Sequence, residues 1–174
     1  SREDKISTMK LEKDFKFKDI QYTRPDCEAF QKLAEDNAEK IKNAVSYSEA
    51  KKVFLEFDKA ESEFFDMGNI AYIRHTIDTS DEFYDKENEF LNEKTPELMP
   101  SLLAFSNAVY DSRFKPDFVT EFGEQMFAEI ELRRKSFSEK NIPLLQKEAR
   151  LCNEYEKIIA SADILFDGKY LNLY

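Results

Sequence analysis

The sequence contains few glycines and a single histidine, and both shortages exclude classes of enzyme. Three glycines among 174 residues leave no Gly-rich loop of the kind that binds phosphate. The one histidine, His75, cannot supply the two histidines one helical turn apart that a zinc-protease helix requires. A serine or cysteine nucleophile would have to use this same His75, and no nucleophile motif accompanies it. We therefore predict no catalytic residue and no metal-binding residue in this chain.

Cysteines are also scarce, and long apolar runs are absent. Cys27 and Cys152 lie far apart, without the spacing of a metal or redox motif. They are typical of reduced thiols in the cytoplasm, with a single disulfide bridge as the alternative. No apolar run approaches the ~20 residues that span a bilayer, and Ser1 to Asp19 are charged throughout, unlike a secretory signal. We expect a cytoplasmic protein that does not enter a membrane.

Acidic residues outnumber basic ones. The chain has 26 Lys and Arg against 36 Asp and Glu, a formal net charge of −10. Such a surface repels the phosphate backbone of nucleic acids and the headgroups of anionic lipids. The densest basic run, Arg133 to Lys135, is too short for a binding tail and is typical of a solvated helix face. We therefore expect no nucleic-acid partner.

The composition favours long helices over a β-sandwich or a barrel, because turn-forming residues are few. The predicted fold is all-α, a bundle-like array of about six helices with a short C-terminal β-hairpin. Its expected organisation has three parts: a charged N-terminal arm over residues 1–20, a helical domain over 21–163 and the hairpin over 164–174. Residues 1–8 are candidates for a non-native extension, because Met9 is a suitable native start.

Proline and capping patterns divide the first half of the chain. Pro25-Asp26 predicts the start of a first helix, which reaches Val45 on an apolar face. Residues 46–49 have the capping-box pattern of a second helix start. That helix extends to about Asp78 and carries a seam of period 3.5, formed by Val53, Phe57, Ala60, Phe64, Met67 and Ala71.

The second half is divided in the same way. A second capping box over residues 79–82 predicts a helix with inward-facing Phe83, Phe90 and Leu91. Thr95-Pro96 predicts the start of the next helix, delayed by Pro100. One helix is predicted from Pro116 to Phe137. The last starts at Pro143, with a seam at alternating spacings of three and four that includes Leu144, Leu151, Tyr155, Ile158 and Ala162.

A polar patch follows the seam of the second helix. Continuing beyond Ala71 by three and then four residues leads to Arg74 and Asp78, with His75 beside Arg74. These three residues are our candidates for a substrate-contacting site, in which Arg74 would bind a carboxylate. The structural alternative is that Arg74 and Asp78 pair with each other or cap a neighbouring helix.

Residues 164–173 predict two short strands around a tight turn. The turn is Asp167-Gly168, a dipeptide that accepts the positive φ angles such turns require. An isolated two-stranded hairpin is marginally stable in water. We therefore hypothesise that the native chain continues past Tyr174 and that the hairpin packs against that continuation.

Three segments resemble the N-terminal region of oligoendopeptidase F, in the thimet-oligopeptidase family of zinc metallopeptidases. The first runs from Phe17 to Asp26 and leads into the first helix. The second, residues 73–84, contains the polar patch. The third, residues 159–170, connects the last helix to the hairpin. With the helix lengths between them, these segments extend the resemblance over nearly the whole chain from residue 17.

The resemblance implies a non-catalytic N-terminal domain that forms one wall of a deep channel for short peptides. In that family the C-terminal part carries His-Glu-x-x-His and a further Glu ligand, and its zinc activates water for peptide-bond hydrolysis. This chain lacks that motif, so the resemblance implies zinc only in the parent enzyme. The implied partners are the C-terminal catalytic domain of the same parent chain and short peptides.

Two other functions are weighed against this one. The chain could be a free-standing helical protein-interaction module with no enzymatic activity, which binds a partner through its aromatic-rich ends. A metal-binding bundle that uses carboxylates is disfavoured, because the sequence has none of the Glu-x-x-His pairs typical of such bundles.

Overall fold

The computed structural model describes residues 16–171, and most of them are helical. The α-helices of this part are α1 (Cys27–Asn43), α2 (Tyr47–Ile77), α3 (Glu82–Tyr110), α4 (Lys115–Phe122), α5 (Glu124–Ser136) and α6 (Ile142–Ala160). Short 3-10 turns precede α1 and α6, at Phe17–Asp19 and Glu139–Asn141. None of these helices is both long enough and apolar enough to cross a bilayer. Residues 1–15 of the predicted arm (1–20), which include the candidate non-native extension 1–8, and the last three residues of the predicted hairpin lie outside the described residues.

The predicted hairpin is confirmed. Strand β1 (Ile164–Phe166) pairs antiparallel with β2 (Lys169–Leu171), with Ile164 opposite Leu171. The turn residues Asp167 and Gly168 have φ angles of 49° and 72°. The all-α fold with a short C-terminal hairpin is therefore as predicted.

The capping box at the start of α2 is also confirmed. The Ser46 hydroxyl accepts a hydrogen bond from the Glu49 amide at 3.2 Å, and the Glu49 carboxylate accepts one from the Val45 amide at 2.9 Å. Val45 itself lies beyond the end of α1 and is exposed, so its predicted position on the apolar face of the first helix is wrong. The first helix instead ends where Ala44 turns to an extended ψ of 132°.

The predicted start of α3 is displaced by two residues. Asp81 is the N-cap, and its carboxylate accepts hydrogen bonds from the Phe83 and Tyr84 amides at 2.9 and 3.2 Å. The capping box over residues 79–82 is therefore wrong, because Asp81 satisfies these amides from a position closer to the helix. Phe83 was predicted to face inward but is 55% exposed. It packs edge-on against the rings of Tyr22 and Tyr84 at the surface.

The prediction of a helix break at Thr95-Pro96 is wrong. Pro96 and Pro100 both lie inside α3, which continues without interruption. A proline inside a helix removes a hydrogen bond and costs about 3 kcal/mol. The residues that follow Pro96 on the inner face, Leu98, Leu102 and Phe105, are buried in the core against neighbouring helices. This burial outweighs the two missing hydrogen bonds.

A glycine divides the predicted helix over residues 116–137. Gly123 has φ 91° and ψ 162°, which ends α4 and caps α5. Only glycine adopts this backbone conformation readily. Within residues 16–171 the number of α-helices agrees with the prediction, because one predicted break is absent and one break that was not predicted is present.

The core is formed mainly by phenylalanine rings from α1, α2 and α3. The rings of Phe30 and Phe64 have centroids 4.1 Å apart, and so do those of Phe57 and Phe105. Phe118 of α4 and Phe127 of α5 belong to the same cluster of buried residues. Helix α6 contributes no residue to this cluster and packs on the outer side against α3.

Candidate functional site

Arg74 connects the last turns of α2 to the segment that precedes α1. Its guanidinium donates hydrogen bonds to the carbonyl oxygens of Ile20, at 2.6 Å, and Phe17, at 3.4 Å. It also donates to the hydroxyl of Tyr84 and lies over the rings of Tyr84 and Phe17, 5.3 and 5.6 Å from their centroids. The side chain is half-buried among these contacts.

Asp78 lies at the C-cap of α2 and is exposed. Its carboxylate accepts hydrogen bonds from the Ser80 amide at 3.0 Å and the Ser80 hydroxyl at 2.6 Å, which lower the pKa of Asp78. The contact with Arg74 is made by the backbone, from the Asp78 amide to the Arg74 carbonyl oxygen at 3.3 Å. The alternative that Arg74 and Asp78 pair through their side chains is therefore not observed, because the two side chains have separate partners.

His75 is fully buried, with 0% of its surface exposed. Its Nε2 lies within hydrogen-bonding distance of Oδ1 of Asn153, at 2.8 Å. The other ring nitrogen, Nδ1, lies 3.7 Å from Oδ1 of Asp85 and has no hydrogen-bond partner among the described residues. His75 thus connects the inside of α2 to both α3 and α6.

The three candidate residues do not converge on one cavity. Arg74 is directed to the segment before α1, His75 to the interior and Asp78 to the loop after α2. Each of the three side chains has a hydrogen-bond partner within the chain. These contacts give each residue a local structural role.

The interface between α3 and α6 is polar. Asn153 of α6 is buried, and its Oδ1 also lies 3.5 Å from Nδ2 of Asn88. One turn further along α6, Lys157 Nζ lies 2.6 and 2.8 Å from the two carboxylate oxygens of Asp85. It also lies 3.5 Å from Oε1 of Glu89, and the hydrogen bond to Asp85 raises the pKa of Lys157. Hydrogen bonds and ion pairs therefore attach α6 to the domain.

The apolar seam of α6 points away from the domain. We call Leu144, Leu151, Tyr155 and Ile158 the α6 stripe; these residues are 53–67% exposed. The seam has the predicted spacing as far as Ile158, whereas Ala162 lies beyond the end of α6. Helix α6 presents its polar side to α3 and its apolar side to solvent. In the hairpin that follows, the side chains of Ile164, Leu165, Phe166 and Tyr170 are also exposed.

A second polar cluster anchors the segment before α1 to α3. Glu87, 2% exposed, accepts a hydrogen bond from the Tyr22 hydroxyl at 2.7 Å and from Nε of Arg24 at 2.9 Å. The hydrogen bond from Arg24 lowers the pKa of Glu87. Burial, reinforced by the negative charge of Glu87, raises the pKa of Tyr22.

Sequence reasoning missed the partners of His75 and the Glu87 cluster. Asn153 could have been found, because it lies two residues from both Leu151 and Tyr155 and thus on the opposite side of α6 from the stripe. No comparable signal marks Glu87, because acidic residues occur throughout the chain. Cys27 is buried and Cys152 is exposed, and both are free thiols.

A family model for the peptidase M3 N-terminal domain matches residues 17–137. No curated protein matches the chain significantly. Among solved structures, one classed as an oligoendopeptidase F is 33% identical, with a TM-score of 0.87 over 91% of this chain. A PZ peptidase A solved with an inhibitor is also 33% identical, with a TM-score of 0.86 over 91% of this chain. One classed as an oligoendopeptidase F from Bacillus anthracis strain Ames is 34% identical, with a TM-score of 0.85 over 90% of this chain.

This chain spans only part of these solved proteins. It covers 28% of the first two chains and 29% of the third. The family match ends where α5 ends, whereas the structural similarity covers about nine-tenths of the chain.

Proposed function

The chain belongs to the peptidase M3 N-terminal domain family, and on that premise we propose that it is the non-catalytic N-terminal domain of a zinc-dependent oligoendopeptidase. In this proposal the parent protein hydrolyses short peptides. The helical domain forms one wall of the channel that admits them.

One observation carries the proposal. About nine-tenths of this chain superposes on little more than a quarter of an oligoendopeptidase F chain, at 33% identity and a TM-score of 0.87. A similarity of this extent supports a domain of a larger protein that carries out its chemistry elsewhere. The peptidase activity of the parent is inferred from its similarity to an oligoendopeptidase F and a PZ peptidase A.

The described residues do not fit a zinc site. Among residues 16–171 no group of three or more His, Cys, Asp and Glu side chains is arranged to hold a metal ion. The single histidine is buried, and its Nε2 already has Asn153 as a partner. In this proposal the zinc ligands of the parent come from the remainder of its chain.

The three candidate residues have different roles in this proposal. Asp78 is exposed at the end of α2 and is the one that would contact a peptide directly. Arg74 and His75 are positioning residues, because the Arg74 guanidinium is engaged by the segment before α1 and Nε2 of His75 is engaged by α6. An Asp78→Asn substitution in the parent is then expected to change KM for peptides while kcat stays near that of the unmodified enzyme.

We also infer that the parent resides in the cytoplasm. Cys27 and Cys152 are both free, and one of them is exposed. An exposed free thiol persists in a reducing compartment and is readily oxidised outside it. Recovery of Cys152 in reduced form from cells quenched with acid would agree with this inference, and a recovered mixed disulfide would contradict it.

The test is a peptidase assay on the full-length product of the gene beside the present chain. The full-length protein should cleave a fluorogenic short peptide, lose that activity with a chelator and regain it with zinc. The present chain should show no turnover with or without zinc. Zinc-dependent turnover by the present chain alone would refute the proposal, as would a full-length product that is inactive towards peptides.

The second candidate function is a free-standing interaction module. The exposed apolar side of α6 favours it, because such a surface also suits a separate partner protein. The two functions are distinguished by the reading frame: an oligoendopeptidase requires His-Glu-x-x-His downstream of Tyr174, whereas a free-standing module requires a stop codon.

A further inference from the structure

Helix α6 packs on its domain through its polar side and exposes its apolar side. A surface helix normally buries its apolar side and exposes its charges. In α6 the buried position is Asn153, whereas Leu151, Tyr155 and Ile158 are more than half exposed. The inner side is held by hydrogen bonds and ion pairs with α3. The apolar outer side is therefore exposed to solvent, although apolar side chains of this kind are normally buried against another element.

The hairpin extends the uncovered apolar surface along the chain. Its strands begin four residues after α6 ends, and both faces of the two-stranded sheet carry exposed apolar side chains. Phe166 and Leu165, on opposite faces, are 68% and 60% exposed. A two-stranded hairpin of this size needs packing against another element to be stable.

We propose that the α6 stripe is the surface on which the remainder of the parent chain packs against this domain. The inference rests on the proposed function, because it requires a parent chain. The solved relatives supply that remainder: more than 70% of each of their chains lies outside the part that this domain matches. The hairpin joins the stripe as part of the same covered surface.

Charge disfavours the two other possible occupants. The chain carries a net charge of −10, so two copies repel each other when they approach. The same sign disfavours an anionic lipid surface, which is recognised by clusters of basic residues. A covalently attached segment meets less resistance, because its high effective concentration offsets repulsion that separate molecules cannot overcome.

The two cysteines provide a direct test. Cys152 is exposed on α6 next to Leu151, whereas Cys27 is buried in the core and serves as an internal reference. We compare the rates of alkylation by iodoacetamide in the present chain and in the full-length parent, following Cys152 by mass spectrometry in the tryptic peptide 151–157. Cys152 should react at least about tenfold more slowly in the parent, because a packed surface must separate before the reagent can enter.

Equal rates of Cys152 alkylation in the two proteins would overturn the inference. Slow alkylation in the present chain that becomes faster on dilution would also overturn it, because a second copy would then be the occupant. These results are independent of peptide hydrolysis. A parent without peptidase activity refutes the proposed function, and protection of Cys152 still tests the surface.

Matched substitutions test the stripe itself. Ile158 and Leu132 are both apolar helix residues, 67% and 66% exposed, but Leu132 lies on α5. Ile158→Glu and Leu132→Glu should leave the thermal midpoint of the present chain within about 2 °C of its starting value, as exposed sites do. In the parent, Ile158→Glu should lower the midpoint or expose the domain boundary to protease, and Leu132→Glu should not. Equal effects of the two substitutions in the parent would overturn the assignment of the stripe.

Discussion

Nε2 of His75 and Oδ1 of Asn153 lie 2.8 Å apart, and through this contact the only histidine of the chain joins α2 to α6. Both side chains are buried, so neither can replace its partner with water. The contact gives His75 a structural role that its sequence position did not reveal.

Replacement of His75 by Ala should lower the free energy of unfolding by about 2–4 kcal/mol, because it leaves Asn153 without this partner and opens a cavity. Urea unfolding followed by circular dichroism measures the change. Thr76→Ala is the control, since Thr76 is exposed and its hydroxyl donates to the Ile73 carbonyl oxygen of its own helix. The control should change the free energy of unfolding by less than about 0.5 kcal/mol. Similar losses for both substitutions would contradict a special role for His75.

Replacement of Arg74 by Ala should release the segment before α1. The guanidinium holds two carbonyl oxygens of residues 17–20, so its loss leaves that segment with fewer anchors. Limited digestion with trypsin should then cleave after Lys16 or Lys18 several times faster than in the unmodified chain, because local opening controls cleavage. Lys140→Ala, in the exposed turn before α6, should leave cleavage at these sites unchanged. An unchanged rate in Arg74→Ala would mean that other contacts hold the segment.

Alanine substitutions at two glycines should change stability in opposite directions. Gly123 has φ 91° and ψ 162°, so Gly123→Ala should destabilise the protein by about 1–3 kcal/mol through backbone strain alone. No atom lies within 4 Å of the added Cβ. Gly68 lies inside α2, and an added Cβ would be 4.0 Å from Cδ1 of Leu91, an ordinary contact. Gly68→Ala should therefore stabilise by about 0.5–1 kcal/mol. Thermal unfolding of both variants gives the two signs, and the same sign for both would disprove this account.

Glu87 should contribute to the acid sensitivity of the domain. Arg24 holds the pKa of Glu87 below its ordinary value, so the folded state binds this proton less readily than the unfolded state. The contribution of Glu87 to stability is thus present above the ordinary glutamate pKa of about 4.3 and is lost as the pH falls through the lower folded value. Urea unfolding at pH 7 and pH 3 should show a smaller loss of stability for Glu87→Gln than for the unmodified chain. Glu93 is exposed on the same helix, and Glu93→Gln should lose as much unfolding free energy between pH 7 and pH 3 as the unmodified chain. An equal loss in Glu87→Gln and in the unmodified chain would contradict the prediction.

The helix positions followed from the sequence wherever a local signal was decisive. Ser46 with Glu49 marked the start of α2, and Asp167-Gly168 marked the hairpin turn. The predicted helix start at Pro96 was wrong. The free-energy cost of a proline inside a helix is outweighed there by packing against residues distant in the sequence. Gly123 was overlooked because a single glycine inside an apolar pattern is compatible with a continuous helix. Local sequence signals therefore predicted helix starts and turns, whereas tertiary packing determined whether a helix continued past a proline.

The candidate residues were harder to interpret than the fold. The sequence placed Arg74 and Asp78 on the continuation of the apolar seam of α2, with His75 beside Arg74, but it could not supply their partners. Those partners are Tyr84, Asn153 and Ser80, and only Ser80 lies near in the chain. The outward direction of the α6 stripe was equally inaccessible, because a regular apolar seam has the same spacing whether it faces a core or an uncovered surface.

The polar attachment of α6 determines the order in which the domain comes apart. Once α6 detaches, Asn153 and Lys157 form hydrogen bonds to water in place of those they lose, whereas separating α1 from α3 exposes the phenylalanine core. The amide protons of α6 should therefore exchange with deuterium through local detachment, well before those of α1 and α3. During synthesis the N-terminal elements emerge first. Helices α1 to α5 can thus assemble their core before α6 has left the ribosome.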